Sequence, residues 1–169
     1  MHAKRILVPV SLQSNDADAL RFIEALSRDF LVYATLLHVV NLNIFGLGRR
    51  VLDELCREHE QRLRALTKLF FEDCRLPQLR VRLDRPHEEI LAEAEAEHAE
   101  LIVMASPKPS RLKWRLSPAT VERVVQNAPC PTLVLPRVWR ITPEQYREAM
   151  RPENARPDFA SATDCPAVF

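Results

Sequence analysis

Residues 100–136, "ELIVMASPKPSRLKWRLSPATVERVVQNAPCPTLVLP", decide the fold. The stretch opens on an apolar run, crosses a long loop and enters a helical pattern from Ala119 to Ala128. It closes on "PTLVLP", a short apolar run bounded by proline on both sides. Two short apolar runs joined through a helix make a crossover unit, and the strands of such a unit are parallel and covered on both faces.

The same unit recurs toward the N-terminus. Lys4 to Val10, "KRILVPV", and Tyr33 to Val40, "YATLLHVV", carry the buried-strand signature. Between them Ala19, Leu20, Ile23, Leu26 and Phe30 recur at steps of three and four, which predicts a helix. Leu52, Leu55, Leu63, Leu66 and Phe70 predict a long amphipathic helix from Val51 to about Cys74, stopped by Pro77. "QLRVRL" alternates as a strand near a sheet edge does, and "RPHEEILAEAEAEHA" predicts a helix with Ile90, Leu91 and Ala94 facing in. The order is βαβαβαβαβ, which argues for an α/β domain built on a five-stranded parallel sheet with helices on both faces and right-handed crossovers. Ligands of such Rossmann-like sheets bind outside the carboxyl ends of the strands, which here selects the loops after Val10, Val40 and Met104.

The alternation ends near Pro136, so the expected division is an α/β domain over 1–136 and an extension over 137–169. In the extension, Thr142, Pro143 and Gln145 supply a capping box for a short helix. The remainder is proline-spaced and weakly apolar, which predicts a surface-wrapping or disordered tail.

Composition narrows the partners. The 169 residues hold 24 Lys and Arg against 23 Asp and Glu, so no global field attracts duplex nucleic acid or an anionic membrane. No apolar run has the length of a membrane span, and the start lacks a signal-peptide core, so the expected location is the cytoplasm. Cys56, Cys74, Cys130 and Cys165 form no C-x-x-C and have no histidine at ligand spacing, so they read as idle thiols in a reducing compartment, with no metal.

"RILVPV", "LLHVV", "ELIVMAS" and above all "VERVVQNAPCPTLVLP" resemble the universal stress proteins in order and spacing across residues 4–136. The resemblance implies a fold akin to the adenine nucleotide alpha hydrolases, a part in stress response, and a homodimer formed through the fifth strand, here Pro131, Thr132, Leu133, Val134 and Leu135. Members that bind ATP carry Gly-x2-Gly-x9-Gly-Ser/Thr after the fourth strand. With Met104 set before the first glycine, those positions fall on Ala105, Lys108, Pro118 and Ala119. The Asp that nucleotide-binding members place after the first strand gives way to Ser11 and Leu12, and Asp84 and Arg85 precede Pro86 where a glycine is usual.

Glycine serves a phosphate cradle because the backbone must take positive φ and approach the anion without a Cβ in the way. Lys108 and Pro118 satisfy neither condition, and Pro107, Pro109 and Pro118 lack the N–H donors of an anion nest. Ser117 and Pro118 instead make an N-cap and first position for the next helix. The only two glycines, Gly46 and Gly48, lie in the second connection.

Two readings of the basic loop stand side by side. Lys108, Arg111, Lys113 and Arg115 put four cations within eight residues, a solvated surface run or a side-chain phosphate site. The second reading makes the protein a sensor of ATP, AMP or another phosphorylated ligand through Ser106, Lys108 and Arg111, with Val10, Ser11, Val39 and Met104 nearby. The first makes it a regulatory or protein-interaction module without cofactor, with the tail as a further protein contact.

Other residues read as structure. His38 in its apolar strand is a packed core histidine, whereas His59, His87 and His98 are expected in solvent. Trp139 is expected to pack the tail helix onto the domain, and Trp114 stands in the basic loop. The acidic run from Glu88 to Glu100 is expected to be a solvated helix face. No nucleophile elbow, P-loop or metal-ligand spacing is present, so no catalytic residue is assigned and the chain is not expected to be an enzyme.

Overall fold

The computed structural model describes residues 4–12, 16–41, 48–71, 76–106 and 117–136. The chain divides into two units, Met1–Trp139 and Arg140–Phe169, and all described residues belong to the first. Among the described residues nine elements alternate: β1 (Lys4–Val10), α1 (Asp16–Asp29), β2 (Val32–Val40), α2 (Arg49–Phe70), β3 (Gln78–Leu83), α3 (Pro86–Ala96), β4 (Leu101–Ala105), α4 (Pro118–Asn127) and β5 (Thr132–Leu135). The five strands form one parallel sheet in the order β3-β2-β1-β4-β5, so β3 and β5 are its edges.

Strand alternation sorts the side chains. Leu7, Leu37, Ile102 and Met104 pack with Ile90 and Ala94 of α3 and with Val121 and Val124 of α4. Ile6, Val8, Leu36 and His38 share the opposite face by register, and α2 meets it through His59. Leu20, Ile23 and Leu26 of α1 are buried, as their spacing predicts. Phe30 is not: α1 ends at Asp29, and Phe30 stays 47% exposed beyond it. The second helix also ends early, at Phe70, although Pro77 was its expected stop.

One proline opens the sheet where a site can form. Lys4 N–H donates to Leu31 O at 3.0 Å on the β2 side, and Arg5 O accepts from Glu100 N–H at 2.8 Å on the β4 side. Even residues of β1 therefore address β2 and odd residues address β4. Pro9 falls on the β4 side and has no N–H to donate. The β1–β4 ladder pairs Ile6 with Leu101 and Leu7 with Ile102 and goes no further, while the β1–β2 ladder runs on to Val10 and His38.

Candidate functional site at the carboxyl end of the sheet

Helix connections leave β1 to one side and β4 to the other, so the switch point of the sheet lies between their carboxyl ends. Val10 and Met104 reach this end but are 2% and 0% exposed, so their side chains belong to the core. Val39 is half-buried against the α3–α4 cluster. Ser11 and Ser106 are half-buried at the strand ends, and the basic loop with Lys108, Arg111 and Trp114 lies outside the described residues. So do Trp139, the predicted tail helix, Cys74 and Cys165.

Several polar groups of the described residues at the switch point are engaged within the chain. Val10 O accepts from His38 Nδ1 at 2.8 Å. Ser11 donates its backbone N–H to Asp16 Oδ2 at 3.0 Å and its hydroxyl to Asp16 Oδ1 at 3.0 Å. Asp16, in the first turn of α1, is 1% exposed, so a carboxylate closes this loop from inside. Ser106 N–H donates to Leu135 O at 2.8 Å. Ser117 caps α4 as its sequence predicts: its Oγ accepts from Thr120 N–H at 3.1 Å, and Pro118 opens the helix. Ala105 ends β4, and Pro118 and Ala119 are the first two residues of α4.

Two loops at this end hold strained backbone. Leu12 has φ 58°, and Asp84, one of the two residues that precede Pro86 where the resemblance expects a glycine, has φ 149°. Asp84 keeps a glycine-like conformation through two local bonds: its N–H donates to Val40 O at 3.3 Å, and its Oδ1 accepts from Arg85 N–H at 2.8 Å.

Two polar features depart from the sequence expectation, and a third, a cleft, has no counterpart in it. His59 is not a solvated histidine: its Nδ1 lies 2.9 Å from His38 Nε2, with ring planes 10° apart. Burial, above all, pushes the His38 pKa down to about 4, and burial followed by the Arg62 charge lowers that of His59. Glu93 interrupts the expected solvated face of α3. It is 6% exposed and held by Arg82 at 2.9 Å and Arg80 at 3.5 Å, both reaching in from the edge strand. A cleft of about 390 Å³ opens at the amino ends of β2 and β3, with Arg5, Tyr33, Thr35, Leu76, Gln78 and Glu97 in its wall. Thr35 Oγ1 donates to Glu97 Oε2 there at 2.5 Å.

Cys56 and Cys130 are unpaired, half-buried thiols, each pushed up in pKa by burial first. Among the described residues no group of three or more His, Cys, Asp or Glu is placed to hold a metal, and no helix is long and apolar enough to cross a membrane.

This strand order, with its switch point between β1 and β4, defines a Rossmann-like α/β domain. The profile of the universal stress protein family matches residues 2–136, and the chain belongs to that family. Among solved structures, the hypothetical protein MJ0577 is similar at 26% identity with a TM-score of 0.65, covering 79% of this chain and 95% of its own. The universal stress protein UspA from Lactobacillus plantarum is similar at 25% identity with a TM-score of 0.57, covering 78% of this chain and 97% of its own. A universal stress protein solved in complex with cAMP shares the fold at 13% identity, with a TM-score of 0.54 and coverage of 79% and 97%. A comparison with curated proteins finds no match.

Proposed function

We propose that this universal stress protein is a non-enzymatic regulatory or protein-interaction module of the stress response, and that it does not hold ATP in the manner of its glycine-bearing relatives. One observation carries the reading: the Ser11 donors and the Thr120 N–H at the start of α4, groups a phosphate or base could use at the switch point, are engaged by the chain itself. Ser117 and Pro118 close the N-terminus of α4, and Asp16 takes both donors of Ser11. A nucleotide would have to displace these bonds, each of which leaves a costly unpaired group when broken. Ala105, Lys108, Pro118 and Ala119 supply no glycine in exchange.

The module acts as a cytoplasmic homodimer through β5. That strand is an edge of the sheet, and Leu133 on it is 36% exposed. An apolar, unpaired edge favours a second strand beside it. The extension after Arg137 supplies a further protein contact.

Thermal stability measured with ATP, ADP, AMP, cAMP and cyclic dinucleotides tests the ligand reading. A ligand held at a hundred times its dissociation constant adds about 2.7 kcal/mol of stability. The expected result is no shift with any of them. A shift with ATP that Lys108→Ala or Arg111→Ala abolishes would replace this reading by the phosphate-sensor one. Light scattering tests the dimer, where Leu133→Asp is expected to give monomer or insoluble protein and an unchanged dimer would overturn the β5 interface.

A further inference from the structure

His38 and His59 join elements that share no sequence neighbourhood, and the hydrogen positions between them follow from one fixed point. Val10 O can only accept, so the His38 Nδ1 that lies 2.8 Å from it carries a proton. Neutral His38 therefore presents a bare Nε2, and His59 Nδ1, 2.9 Å away, must donate to it. The chain of bonds runs from the middle of α2 through β2 to the carbonyl that ends β1.

We propose that His38 and His59 form a proton-counting latch between α2 and the carboxyl end of β1, which stays closed with one added proton and opens with two. The first proton goes to His59 Nε2, on the side of the ring turned away from His38. It leaves the N–H donor to His38 in place and turns the bond into a charge-assisted one. The second proton must sit on His38 Nε2. Two N–H groups, and two positive rings, then face each other across 2.9 Å, and the bond is lost.

The surroundings favour this order. On its own face His38 has Leu36 and Val40 of β2, Val10 of β1 and Val81 of β3, none of which titrates. From α2, Arg62 opposes charge on both rings, and Glu58 favours it on His59 alone. Asp16 of α1, the nearest carboxylate along the β1 loop, is engaged by Ser11. His38 is 6% exposed and His59 only half-buried, so His59 meets solvent protons first.

The pH window follows from the shifts. Both pKa values lie below that of a free imidazole, so the stability gained by keeping the rings neutral is complete above about pH 6.5 and is lost as pH falls. For His38, whose folded value is about 4, the loss runs down to that pH. A depression from 6.5 to about 4 corresponds to a rise of between about two and three orders of magnitude in the unfolding constant.

The test is nitrogen and carbon NMR of both rings in the full chain from pH 8 to pH 3.5, with amide exchange read in α2 and α3. The expected record has His59 titrating first, with exchange in α2 unchanged, then His38 near pH 4 with α2 amides opening before those of α3. His59→Gln keeps a donor to His38 without a titrating ring, so it should preserve the closed latch at pH 7 and remove the first step. A single titration of His38 between pH 6 and 7, or α2 opening at the first step, would overturn the proposal. So would α2 and α3 opening together, since general acid unfolding does that. If His59→Gln does not fold, the wild-type titration alone still decides.

Discussion

At the carboxyl end of the sheet, Val10, Ser11, Ser106 and Ser117 each bond to a partner inside the chain, and a carboxylate that is 1% exposed holds the first loop. At the amino end of the same strands, Tyr33 and Leu76, 45% and 65% exposed, line a mixed cleft, and Phe30, Leu31 and Leu69 stand 47–79% exposed. Among the described residues, the end where this fold class gathers its ligands holds its strand-end groups in internal bonds, and the end that usually only supports the fold exposes large apolar side chains beside a mixed cleft. Backbone groups at a strand end must find partners somewhere, and an internal partner is always at hand while a ligand is not.

Substitutions at the two ends should therefore behave differently, and the largest effect is expected at Asp16. Asp16→Ala strands the Ser11 N–H and hydroxyl next to a buried site and should cost about 3 kcal/mol, read as a drop in the urea midpoint. A loss below about 1 kcal/mol would mean that water replaces the carboxylate and that the first loop is not closed from inside. Ser117→Ala removes the acceptor for Thr120 N–H and should cost about 1 kcal/mol. It also frees the α4 terminus. A phosphate that bound this variant but not the parent would show that the cap itself excludes anions.

The sequence made much of the carboxyl end legible. Apolar runs and helical spacing placed all nine elements, because the alternation of strand and helix leaves few topologies. Ser117 and Pro118 were readable because a cap and its helix are neighbours in the chain. His59 was not, since its meeting with His38 across 21 positions depends on the rotation of α2 about its axis. Glu93 was hidden for a similar reason. Spacing put it near the inward-facing Ile90 and Ala94, but only the edge strand shows that Arg80 and Arg82 arrive to neutralise it. The amino-end cleft has no sequence signal, because its wall is drawn from four separate segments.

Asp84→Gly gives a smaller effect of opposite sign. The φ of 149° that Asp84 adopts is easy for glycine and strained for a side chain, although its carboxylate recovers part of the strain through Arg85 N–H. Glycine also widens the unfolded ensemble, which works against the gain. The balance should be a stabilisation of about 0.5 kcal/mol, seen as a small rise in melting temperature. A clear loss would show that the Arg85 bond, rather than backbone strain, dominates the third loop.

The smallest effect belongs to the amino end. Leu69 is 79% exposed near the end of α2, so Leu69→Gln removes almost no buried surface and keeps a good helix former. Its stability should stay within about 0.5 kcal/mol of the parent. The contrast with Asp16→Ala then has a direct meaning: the open end can change its surface chemistry without touching the fold, and the closed end cannot. If Leu69→Gln instead cost 2 kcal/mol or more, a value that loss of buried apolar contact would require, the amino end would be covered in solution. Sedimentation of the two proteins side by side would then show whether a second copy of the chain provides the cover.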